Sequence, residues 1–238
     1  MHMIETRLSD LDGGKLLDVA TGRGDFLEYL IATLKSYSEA YGIDSSEEHI
    51  SVARHNLGND KIDFEVMDAG AMTFDSNSFD IVAVSNALHH MESVEPVLQE
   101  MKRVLKPDGI FIINEMFRDF QNEKQSVFVR AHNWWAAIDR IKGVVHNQTY
   151  RKEELLGLAD WLGLQGIEMI ENQDILMSSG DSPDEGWLID KIDDYIRRIA
   201  SDAQHADLLE QGKQIRRDVT STGFAKPTEL FILGHKAV

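Results

Sequence analysis

The chain has 238 residues, 42% of them hydrophobic, and no cysteine, so it can bury a large core, and disulfides, thiolate metal sites and a cysteine nucleophile are excluded. Its 41 acidic against 24 basic residues leave a formal charge of −17, which disfavours nucleic acid as partner because phosphate backbones are bound through Lys and Arg. No apolar run approaches the roughly 20 residues of a membrane span, and the first residues lack the basic and apolar regions of a signal peptide, so a cytoplasmic protein is expected.

Taken in chain order, short apolar runs alternate with amphipathic stretches, the pattern of a parallel sheet with crossover helices. Residues 15–20 (KLLDVA) read as a buried first strand. Residues 25–34 follow as a helix, with Phe26, Leu27, Leu30, Ile31 and Leu34 at helical spacing. Strands are expected over 38–43, 62–67 and 79–85, with a helix over 47–57 between the first two. A helix over 94–105 has to stop before Pro107, where Pro107-Asp108-Gly109 supplies a turn into a fifth strand, 109–114. Beyond Glu115 the rhythm changes. Residues 119–142 read as a helix carrying Trp134 and Trp135. A second helix over 152–162 is opened by Thr149-x-x-Lys152 and closed near Gly163. Residues 166–171 and 229–234 are the sixth and seventh strands. Between them Pro183 marks a helix start, and Leu188, Ile192, Tyr195, Ile196 and Ile199 make one apolar face.

The most informative segment is Leu17-Asp18-Val19-Ala20-Thr21-Gly22-Arg23-Gly24-Asp25. Small residues turn a strand sharply into a helix, so a ligand can approach bare amides and the helix N-terminus. In open α/β sheets this is where nucleotide-type cofactors bind. The spacing is not the G-x-G-x-x-G of dinucleotide folds, and no P-loop Gly-Lys-Ser/Thr follows. Asp18 would repel a pyrophosphate but suits a cation with an amino group, such as S-adenosylmethionine. Asp44-Ser45 closes the second strand, where an acceptor can take both ribose hydroxyls. Asp68-Ala69 closes the third, where an acceptor can meet the adenine amino group, and Ser85-Asn86 ends the fourth beside the methionine part. Turns favour Asp at any single strand end; the coincidence at four adjacent ends is what points to a ligand.

These segments resemble the class I methyltransferases. Residues 18–25 in particular resemble the ubiquinone/menaquinone C-methyltransferase group, and residues 86–91 (NALHHM) and 105–109 (LKPDG) add to the match. The resemblance implies a Rossmann-like α/β fold: a seven-stranded, mostly parallel sheet with an antiparallel last strand and helices on both faces. It implies that Asp18, Ala20, Gly22 and Gly24 frame the methionine part of S-adenosylmethionine, Asp44 its ribose and Asp68 its adenine, with S-adenosylhomocysteine as product. On this reading the chain is one methyltransferase domain, with a cofactor-binding core over 14–115 and helical insertions over 116–150 and 174–225 that cap the substrate. Fewer than fifteen residues precede the first strand, so the family's N-terminal helix over the cofactor is missing or very short, and 174–225 is expected to serve as lid.

Methyl transfer needs a base only where the acceptor is protonated. His146, in a loop, is the first choice, with His89 and Tyr150 beside it. His90, His132, Trp134 and Trp135 are candidates for lining an apolar acceptor pocket, while anchoring of the cap helix explains the tryptophans equally well. Among nine histidines no H-x-x-x-H or H-E-x-x-H spacing occurs, and His49 and His55 would face different sides of one helix, so no metal is expected. The expected partner is a small aromatic or isoprenoid-like molecule accepting at oxygen, nitrogen or carbon, and a homodimer stays open. Two other readings remain: a cofactor-binding module without turnover, and a protein or RNA methyltransferase. The acidic charge and the absence of Asn/Asp-Pro-Pro-Tyr/Phe after the fourth strand count against the last.

Overall fold

A computed structural model describes residues 3–173, 184–201 and 203–237. The strands are β1 (Lys15–Val19), β2 (Glu39–Asp44), β3 (Ile62–Val66), β4 (Phe79–Ser85), β5 (Leu105–Met116), β6 (Gln165–Asn172) and β7 (Glu229–His235). They form one sheet in the order β3-β2-β1-β4-β5-β7-β6. Neighbours from β3 through to β5 pair in parallel, and β7 runs antiparallel to both β5 and β6. The expected seven-stranded sheet with its reversed last strand is therefore present.

The strands' two-residue period sorts the core. Leu17, Val19, Val82, Val84, Phe111 and Ile113 point to one face, under α4 (Val94–Val104) and α6 (Lys152–Leu162). Leu16, Ala40, Phe64, Ile81, Ala83 and Ile112 point to the other, under α1 (Met3–Ser9), α2 (Asp25–Thr33) and α3 (Glu47–Leu57). A helix before β1 is thus present, with seven described residues. Ile4 and Leu8 bury it against the second face, and Arg7 clamps Glu168 of β6 at 2.7–3.0 Å.

Two local expectations give way to tertiary context. Pro107-Asp108-Gly109 is not a turn before β5 but a bulge inside it. Phe79 pairs with Leu105 and Ile81 with Ile110, so β5 spends extra residues there, and Asp108 takes φ 62°. The C-terminal segment pays into the same irregularity, since Lys236 accepts from the Asp108 amide and donates to Gly109. Thr149 does not open α6, because Asn133 takes both its amide and its hydroxyl. Glu154 instead reaches back to the Arg151 amide at 2.6 Å. Gly163, at φ 63°, ends the helix as expected.

A third apolar cluster is made by α5 (Glu123–Ile141), α7 (Glu185–Ile199) and α8 (Ala206–Thr222). Leu188, Ile192, Tyr195 and Ile199 form its α7 face. The expected helix start at Pro183, and residues 174–183 of the expected insertion, lie outside the described residues; α7 is capped by Asp184, which accepts from Trp187 N at 2.7 Å. Trp134 and Trp135 are buried in this cluster, with the Trp134 indole donating to Leu208 O at 2.7 Å. Gly212 of α8 lets the helices close: a Cβ there would lie 2.3 Å from Trp134 Cζ2. Gly212→Ala is expected to cost about 1–3 kcal/mol despite alanine's better helix propensity, read as a lowered Tm. An unchanged or raised Tm would show that α5 and α8 tolerate a wider spacing.

Candidate functional site

The parallel strands β1 to β4 end together, and a cavity of about 950 Å³ opens beyond them. After β1 the chain turns through Ala20 at φ 56° and Gly22 at φ 57°. Nothing lies within 4 Å of a Cβ built at Gly22, so that position faces open space. Across β4, Asn86 takes φ 46°. Left-handed backbone at Ala20 and Asn86 costs of order 1–3 kcal/mol each, and both residues line the cavity.

Asp44 organises the glycine turn. One carboxylate oxygen accepts from Gly22 N and the other from Ser46 N, each at 2.9 Å, and His49 Nδ1 stands 3.5 Å away. Asp68 closes its own turn by accepting from Gly70 N at 2.8 Å. Asp18 is buried beneath the turn; Thr21 Oγ1 donates to one oxygen at 2.6 Å, and the other has no partner. Burial pushes its carboxyl up to about 7, against the Thr21 hydrogen bond and with help from the Asp44 charge. On the far wall Asn86 and Asn114 both donate to buried Glu229, Asn114 at 2.7 Å. Burial pushes Glu229 up to about 7 as well.

Of the residues expected at the cofactor, Asp18, Ala20, Thr21, Gly22, Asp44, Ser45, Asp68, Ala69, Ser85 and Asn86 all line this cavity, and His90 joins them. Gly24 does not. It caps α2 at φ 92°, where a Cβ would meet Leu57 at 2.8 Å, so its smallness serves helix packing. Trp134 and Trp135, expected either to shape an acceptor pocket or to anchor the cap helix, do not line it either: their rings are buried in the α5–α7–α8 cluster. His89, His132, His146 and Tyr150 stand outside the lining. His146, the expected base, is held by Asp139 at 2.8 Å and lies behind His90, the rings tilted by 40° with centroids 4.3 Å apart. Burial pushes His146 and His132 down, His132 to about 2. Tyr150 is pushed up to about 12 by burial and the nearby Glu115, which makes it a poor proton acceptor.

Asn114, Asn172, Glu229 and Phe231 also line the cavity. Asn114, near the end of β5, pairs with Ser85 of β4, whereas the strands of Asn172, Glu229 and Phe231 lie far along the chain and reach this side only through the order β4-β5-β7-β6. The signal available in the sequence was a charged Glu229 opening an otherwise apolar strand.

A methyltransferase-domain family model matches residues 17–113. Ubiquinone/menaquinone biosynthesis C-methyltransferase UbiE of Hydrogenovibrio crunogenus is 27% identical over 128 residues, 52% of this chain and 49% of its own length. The demethylmenaquinone methyltransferase of Staphylococcus aureus strain MRSA252 is 35% identical over 104 residues, 43% of each chain. This chain thus spans about half the length of the relatives it matches. Among solved structures, phosphoethanolamine N-methyltransferase 2 of Haemonchus contortus, in complex with S-adenosyl-L-methionine, superposes with a TM-score of 0.59 at 16% identity. That match covers 98% of this chain and 51% of the other. No helix among the described residues is long and apolar enough to cross a membrane. Residues 17–113 thus match a methyltransferase-domain model, and the chain as a whole shares the fold of this solved methyltransferase.

Proposed function

We propose that this chain transfers a methyl group from S-adenosylmethionine to a small-molecule acceptor, leaving S-adenosylhomocysteine. One observation carries the reading: Asp18, Asp44, Asp68 and Asn86, from the ends of four adjacent parallel strands, converge on a single cavity. When bound, the cofactor supplies a methyl already activated on a sulfonium, so the protein's task is alignment and exclusion of water. Asp44 takes the ribose hydroxyls while keeping the Gly22 turn in place, and Asp68 meets the adenine edge. Gly22 lets the backbone approach the methionine part, and the Asp18 carboxylate faces its ammonium. Asn86, fixed through Glu229, sits where methyl donor and acceptor meet.

An aromatic or isoprenoid-like acceptor is supported by the quinone enzymes among the relatives and by the apolar cavity residues Phe26, Met91, Val97 and Phe231. The α5–α7–α8 cluster is the cap in this reading. It is tied to the cavity rim by Asn147, whose amide bonds His89 O at 2.7 Å and whose side chain bonds Met91 O at 2.8 Å.

Calorimetry with both adenosyl compounds tests the binding, and release of S-adenosylhomocysteine across an acceptor panel tests the turnover. Micromolar affinity with acceptor-dependent release is expected. No affinity for either compound would remove the proposal, and binding without release under any acceptor would leave the cofactor-holding module.

A further inference from the structure

Behind the cavity wall, three histidines from three separate elements meet. His89 lies in the 3₁₀ turn Leu88–His90, His132 on α5, and His146 in the loop after α5. Their exposures are 1%, 6% and 5%. One ring nitrogen from each lies within 4.8 Å of those of the other two. The ring of His132 meets His89 and His146 edge-on, at 79° and 82° with centroids 5.0 and 4.9 Å apart.

Carboxylates hold two of the rings from behind. Both oxygens of buried Glu115 lie 3.0 and 3.2 Å from His89 Nδ1, and Asp139 Oδ2 lies 2.8 Å from His146 Nδ1. An ionised carboxylate only accepts, so each pairing keeps a proton on Nδ1 and leaves Nε2 for another partner. Nε2 of His146 and Nδ1 of His132 are buried with no hydrogen-bond partner. A buried polar atom left without a partner is destabilising, and two occur in this one cluster of rings.

We infer that His89, His132 and His146 bind a divalent transition-metal ion, zinc foremost, with Glu115 and Asp139 orienting two of the three imidazoles. Imidazole nitrogens suit zinc, iron, copper and nickel, whereas magnesium and calcium require oxygens. A carboxylate on the far nitrogen is the common way to fix the tautomer of a ligating histidine and raise its basicity. Tetrahedral zinc with bonds of about 2.1 Å sets its nitrogens roughly 3.4 Å apart, so small ring rotations close the set. The ion's two charges offset those of Glu115 and Asp139, the latter shared with Tyr195 at 2.9 Å and Arg198 at 3.8 Å. Three ligands leave a coordination position free. The ring of His90, a cavity residue, lies tilted against those of His89 and His146 with centroids 4.3 Å away in each case, which places the site one ring behind the cavity. Linear spacing had excluded a metal because it samples ligands within one segment, and these three come from different ones.

The test uses the full chain stripped with a chelator and titrated with Co(II), then loaded with Zn(II) for X-ray absorption. Expected are visible bands of tetrahedral cobalt, saturation near one equivalent and a zinc shell of three imidazole nitrogens. His132→Gln combined with His146→Gln should abolish binding, and Glu115→Gln or Asp139→Asn should weaken it roughly 10–100-fold, with circular dichroism reporting folding. Wild-type affinity weaker than about 100 μM, fewer than three imidazoles in the shell, or binding that survives the double substitution would overturn the inference. The wild-type spectra decide even if a variant fails to fold. S-adenosylhomocysteine affinity, measured on the same samples, reports on the methyl-transfer reading independently.

Discussion

Asp44→Ala is expected to weaken S-adenosylhomocysteine binding by about 100-fold or more. Two losses combine. A carboxylate that accepts from both ribose hydroxyls contributes charged hydrogen bonds of about 1.5–3 kcal/mol each. The same carboxylate also accepts from Gly22 N and Ser46 N at 2.9 Å, so its removal frees the turn against which the methionine part is laid. Asp44→Asn keeps one acceptor oxygen and should fall between alanine and wild type. Calorimetry gives the affinities, and thermal melts check that Ser46 still caps α3 through His49 N. An alanine variant that binds within threefold of wild type would remove Asp44 from the site.

This double duty explains what the sequence could and could not reveal. Leu16, Leu17 and Val19, or Ile81 through Val84, are apolar on both faces because helices cover both sides of the sheet, and continuous runs of that kind are readable without coordinates. The strand-end residues Asp18, Asp44, Asp68 and Asn86 follow once the strands are placed, since parallel strands in one sheet end on one side. Partners brought in by the antiparallel β7 obey no such local rule. Glu229 reaches Asn86 and Asn114 only because β7 inserts between β5 and β6. The histidine cluster depends in the same way on the path of the chain after α5. For Trp134 the missing information was Gly212, seventy-eight residues on, whose lack of a side chain makes room for the indole in a helix interface. Residue type alone leaves an aromatic free to be pocket or core; the facing residue decides.

Asp18→Asn should stabilise the unliganded protein at pH 8 and weaken its hold on the cofactor. Burial raises the Asp18 carboxyl to about 7, from near 3.8 when exposed. Because the folded-state value is the higher one, the native protein holds the proton more tightly than the unfolded chain does. Stability from this group is therefore greatest below about pH 4, declines as pH rises towards 7, and stays low beyond it. The ionised form costs at most about 4 kcal/mol. Asparagine is close in shape, stays neutral and can still accept from Thr21, so it removes that cost. A gain in Tm of roughly 5 °C or more is expected at pH 8, shrinking to nothing near pH 4. A cationic ammonium in the cavity reverses the balance, since it favours the ionised carboxylate. Wild-type cofactor affinity should accordingly fall as pH drops below about 7, while the asparagine variant binds weakly and without that slope. Parallel melts and titrations across pH separate the two halves: an equal Tm gain at every pH would mean that packing rather than charge is responsible, and an affinity untouched by the substitution would show that this carboxylate does not face the ligand's positive end.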